Sequence, residues 1–73
     1  MTHQFVVLAD RVRGFDERAD AERYARANYP AVLCERRTRP DGRSDLVEIA
    51  RHDFLYDDTR GEWGIFFQET AAP

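Results

Sequence analysis

Residues 51–68, RHDFLYDDTRGEWGIFFQ, hold the densest group of side chains capable of chemistry. His52, Asp53, Asp57 and Asp58 lie close together there, and aromatic residues surround them. Imidazole and carboxylate at close range can bind a divalent metal or share a proton as general acid and base. The spacing argues against both roles. Read as a hairpin with a four-residue loop over 58–61, the stretch opposes Asp57 to Glu62, Tyr56 to Trp63, Phe54 to Ile65 and His52 to Phe67. Side chains alternate along a strand, so His52 and Asp53 diverge. Asp57 and Asp58 fall at the loop, where aspartate is favoured because it hydrogen-bonds the nearby backbone. No metal ligand and no catalytic residue is expected in this segment.

Cys34 and His52 are the elements of a thiol nucleophile and its base. A lone cysteine beside Val32 reads more simply as a small core residue. With no second cysteine, an intramolecular disulfide is excluded, as suits a reducing compartment. Arg36, Arg37, Arg39 and Arg43 lie in RRTRPDGR. On a two-stranded ribbon they could contact phosphates of a nucleic acid. Glu35, Asp41 and Asp45 dilute that patch, and a charged hairpin also resists edge-to-edge strand pairing. There is no glycine-rich phosphate loop, Walker motif, zinc spacing or Ser-His-Asp arrangement. The expectation is a protein that is not an enzyme and uses no cofactor.

Size and charge narrow the classes further. The 73 residues suffice for one domain, spanning 1–73 with residues 70–73 expected to fray. A chain this short builds a thin core, one helix on one sheet. Eleven arginines and no lysine make every cation a planar fork suited to carboxylate, phosphate or an aromatic face. A net charge of −3 gives no general attraction to nucleic acid or anionic membrane. No apolar run is long enough to span a bilayer, and no signal-peptide core is seen. The expected location is the cytoplasm, with no membrane partner.

The elements that must position these residues follow from periodicity. QFVVLA (4–9) is a continuous apolar run, read as a central strand. DRVRGFD (10–16) reads as a polar connection ending at Asp16, a candidate N-cap. A helix over 17–28 places Ala21, Tyr24, Ala25 and Asn28 on one face, with Glu22 and Arg26 as an exposed i,i+4 pair. Pro30 ends it. AVLCERRTR (31–39) is a second strand and PDG (40–42) a turn. Residues 44–57 and 62–69 form the last two strands. The fold class is therefore α+β: β-α-β-β-β, a mostly antiparallel four-stranded sheet with one helix packed on one face. The first strand is expected to run parallel to whichever strand it joins. In size and element order, though in no motif, the chain resembles the small β-α-β-β-β inhibitors carried by phages, including some anti-CRISPR proteins.

One conflict bears on function. Along an unbroken strand 44–57, Val47 and Ile49 face away from Phe54 and Tyr56. A one-residue bulge near 50–53 would bring them to the helix side. Without it, Val47, Ile49, Leu55 and Phe66 would make the outer sheet face apolar. An uncovered apolar face needs a partner. The functional expectation is a non-catalytic protein-binding module: an inhibitor, an adaptor or a homodimer. Its partner is another protein or a second copy of the chain, met through Leu55, Tyr56, Trp63 and Phe66. The alternative is a nucleic-acid-binding module using Arg36, Arg37, Arg39 and Arg43.

Overall fold

The computed structural model describes residues 2–70. Six elements follow in the order β1 (Phe5–Leu8), β2 (Val12–Phe15), α1 (Arg18–Arg26), β3 (Ala31–Thr38), β4 (Ser44–Asp57) and β5 (Glu62–Glu69). They form a five-stranded sheet in the order β2-β1-β3-β4-β5, antiparallel at every pairing.

This corrects the four-stranded expectation. Val12–Phe15, read from its polar character as a connection, folds back on β1 with Phe15 opposite Phe5 and Val12 opposite Leu8. The extra strand reverses the chain before the helix. β3 therefore meets β1 antiparallel, with Val7 opposite Leu33, and not parallel as expected. The β-α-β-β-β order behind the likeness to phage inhibitors is accordingly not the order of this chain. β2 is held by contacts that no local pattern reveals. His3 Nδ1 lies 3.0 Å from an Asp16 carboxylate oxygen, its ring lies across Gly14, and Phe15 stacks at a tilt on Tyr24. Asp16 is thus not the N-cap. Glu17 occupies that position, without a side-chain capping bond.

The helix face was legible. Ala21 and Ala25 are wholly buried against Val7, Ala31, Leu33 and Ala50. Alanine meets alanine across much of this contact, so the helix lies close to the sheet. Glu22 pairs with Arg18 at 3.6 Å and not with Arg26. Arg26 instead lays its guanidinium over the Phe67 ring, 4.1 Å from the centroid, a cation–π contact.

The bulge exists, slightly earlier than expected. Leu33 opposes Ala50 and Cys34 opposes Glu48, so Ile49 is the extra residue on β4. It shifts the alternation. Val47 opposes Glu35, which opposes Phe5 on the helix side, and Ile49 packs against the helix-side core. The outer face keeps Val6 and Cys34 buried, exposes Leu8, Val12 and Leu46, and carries polar side chains between them. Among these, Arg36 Nε donates to the His3 carbonyl, Arg51 pairs with Glu48, and the Thr70 hydroxyl donates to Glu48. Of the tail expected to fray, Thr70 also donates its N–H to the Ile49 carbonyl, and 71–73 lie outside the described residues.

Candidate functional site

The β4–β5 hairpin has the register its sequence predicts, from Ala50 opposite Glu69 to Asp57 opposite Glu62. Its loop is built by Asp57. The Asp57 carbonyl accepts from Gly61 N–H, and its carboxylate accepts from the N–H groups of Thr59 and Arg60. Gly61 takes φ 67°, where a side chain would be disfavoured.

β3 starts opposite His52, so residues 53–57 of β4 pair with β5 alone. The distal hairpin is a two-stranded ribbon that outruns both β3 and the helix. A nine-residue helix is about 14 Å long, whereas the fourteen residues of β4 extend about 46 Å. The helix ends at His52. Its Nδ1 lies 3.0 Å from the Ala25 carbonyl and 2.8 Å from that of Asn28, where a ring N–H satisfies the helix C-terminus. Tyr29 packs edge-on against the same imidazole.

Beyond this point the helix-side face of the ribbon is bare. Trp63 is 63% exposed, Phe54 and Ile65 55%, and Tyr56 46%. The rings hold one another in place. Phe54 stacks on Trp63 with centroids 5.6 Å apart, and Tyr56 meets Trp63 edge-on at 5.5 Å. Large apolar side chains present about 150–250 Å² each, so the four residues leave roughly 450 Å² of contiguous, mostly apolar surface open. That is at the scale of patches that commonly serve binding.

The four expected contact residues fall on two faces. Tyr56 and Trp63 belong to the bare patch. Leu55 and Phe66 lie on the opposite face and are half-buried, with the Phe66 ring packed over Gly64 and the Arg60 guanidinium 5.4 Å from its centroid. Phe54 and Ile65 complete the patch. The sequence register put them on this face, but as helix-covered core. Comparing the length of the helix with that of the strands it must cover would have found them.

The chemical candidates are dispersed. His52 faces the helix. Asp53 faces the other way, accepting from the Phe54 N–H and lying 3.8 Å from Arg51. Cys34 is buried on the outer face, across the sheet from His52; burial pushes its thiol pKa up, and Glu48 adds to the shift. A thiolate is thus disfavoured. Among the described residues no three His, Cys, Asp or Glu side chains gather in a metal-binding group. The arginines of the β3–β4 hairpin are engaged internally. Arg39 clasps Asp45 with two bonds of 2.7 and 2.6 Å, Arg37 pairs with Glu35 at 2.9 Å, Arg43 lies 4.0 Å from Asp41, and Arg36 is spent on the His3 carbonyl. A shallow depression of about 410 Å³ lies between helix and β2, lined by Phe15, Asp20, Arg23, Tyr24 and Ala27; its two charged residues, Asp20 and Arg23, pair with each other at 3.4 Å. No helix among the described residues is long and apolar enough to cross a membrane. No protein-family model, no curated protein and no solved structure matches the chain.

Proposed function

We propose that the chain is a non-catalytic protein-binding module whose contact surface is the bare face of the distal ribbon. The observation that carries this is the cluster Phe54, Tyr56, Trp63 and Ile65, exposed together on a ribbon that no other element covers. A lone two-stranded hairpin is marginal in water. Tryptophan and tyrosine pre-stacked in one arrangement lose little freedom on binding, and both are favoured interface anchors. The outer face supports a contact surface less, because the bulge at Ile49 moves Val47 and Ile49 away from it. The nucleic-acid reading has weaker support, since Arg36, Arg37 and Arg39 already have acceptors, Arg43 lies 4.0 Å from Asp41, and carboxylates are interleaved among them.

The test compares wild type with Phe54→Ser/Trp63→Ser in capture experiments. The bait is offered both a differently tagged second copy and cell extract. Both versions should give the same fold by circular dichroism, and the variant should lose the protein that wild type retains. Equal capture by wild type and a folded variant would sink this reading.

A further inference from the structure

Building on that reading, we infer that the occupant of the bare ribbon face is a second copy of the chain, docked face to face about a two-fold axis. Three observations support it.

The first is the layering. The helix forms a second layer over β1, β2, β3 and the middle of β4 around Ala50, and stops at His52. Stacked sheets pack about 10 Å apart, and a helix on a sheet occupies a layer of similar thickness. The ribbon of a second copy would therefore continue the layer that the helix begins. Each chain leaves its ribbon face uncovered, and the two-fold lets each ribbon cover the other's.

The second is area. The four ribbon residues expose roughly 450 Å², and Tyr29, 49% exposed beside His52, adds about 100 Å². Two copies would cover at most about 1,100 Å² in total, near the roughly 1,000 Å² that a specific interface needs. The dimer so formed is weak and needs the whole patch.

The third is charge. A two-fold contact sets each group near the axis against its own copy, so charges there repel. Phe54, Tyr56, Trp63 and Ile65 are all uncharged. Away from the axis, the two-fold lays the hairpin tip of one chain against the helix end of the other. Asp57 and Glu62 face away with Leu55, so at the tip Asp58 is the acid that would meet the other copy's last helical turn, which carries Arg23 and Arg26. The signs are complementary.

The experiment is light scattering and sedimentation on the full chain at micromolar to millimolar concentrations. Emission of Trp63, the single tryptophan, is followed alongside. Wild type should approach the mass of two chains, with emission shifting to the blue as it does. Trp63→Glu should stay folded and weaken self-association roughly thirty-fold or more, as loss of an anchor does. Arg26→Glu should weaken it less, and Asp58→Arg added to Arg26→Glu should restore it. A wild type that stays monomeric throughout would refute the inference. So would a dimer indifferent to Trp63→Glu, or a charge swap that fails to restore what Arg26→Glu removes. A monomeric wild type that captures a different protein through Trp63 would overturn the second-copy inference while the binding-module reading stands.

Discussion

Ala25→Leu probes the close approach of helix to sheet. Ala25 is wholly buried, and its surroundings include Ala21 beside it and Ala31, Leu33 and Ala50 beneath. Three added carbon atoms have nowhere to go, because alanine neighbours have no rotamer through which to yield. Overpacking of this kind costs about 1–3 kcal/mol. Here the helix must lift, which also stretches the contacts from His52 Nδ1 to the Ala25 and Asn28 carbonyls, at about 1 kcal/mol per lost hydrogen bond. A total near 3 kcal/mol is expected, set against about 4–11 kcal/mol for a chain of this length. Urea unfolding measures it: with a slope of about 1 kcal/mol/M, the midpoint should fall by roughly 2–3 M. Ala19→Leu, on the exposed side of the same helix, serves as control and should change stability by less than about 0.5 kcal/mol. An Ala25→Leu midpoint equal to that of wild type would show that the contact has slack, and the close-packing argument would fail.

Two further outcomes are expected. The Thr70 hydroxyl, ahead of Arg51, holds the Glu48 carboxyl below its ordinary value of 4.5. A folded-state pKa lowered in this way contributes stability above the ordinary value, and that stability is lost as pH falls through the lower one. Thr70→Val should therefore raise the Glu48 midpoint in an NMR titration and flatten the acid-side loss of stability; an unmoved midpoint would contradict the assignment. Amide exchange should be faster at 53–57 than at 32–35 in dilute solution, because the ribbon has one pairing partner and this part of β3 has two. Equal protection of the two segments at the lowest measurable concentration would refute the picture of a marginal ribbon.

The β4–β5 hairpin was readable residue for residue because its signals are local. Apolar alternation, an aspartate that builds the loop and a glycine at positive φ together leave one register. The alanine face of the helix was readable for the same reason. β2 was not, because VRGF carries an arginine and a glycine where a strand pattern needs apolar residues. Its place depends on His3, Asp16 and Tyr24, residues up to twelve positions from it in the chain. Missing this one reversal turned an antiparallel β1–β3 pairing into an expected parallel one. The exposed patch was half legible: register assigned Phe54 and Ile65 to the correct face, but their exposure depends on where β3 begins, which no local pattern states.

The position of Pro30 ties these points together. The helix is over by Ala27, and Pro30 leads directly into Ala31, which must lie opposite His52 for Leu33 to meet Ala50 in the core. β3 then runs away from the ribbon, so neither strand nor helix can extend over residues 53–57. An uncovered end is therefore built into the topology. What the sequence placed on that end is decisive. Polar residues there would have made an ordinary solvated hairpin, whereas every helix-side position from 54 to 56 and from 63 to 65 is aromatic or aliphatic. The bulge at Ile49 sharpens the contrast, since it brings Val47 and Ile49 to the helix side and leaves the buried part of the outer face under charged side chains. Leu8, Val12 and Leu46 are exposed on the outer face, but the stacked aromatic cluster lies where the fold offers no cover of its own, which is the arrangement a docking surface requires.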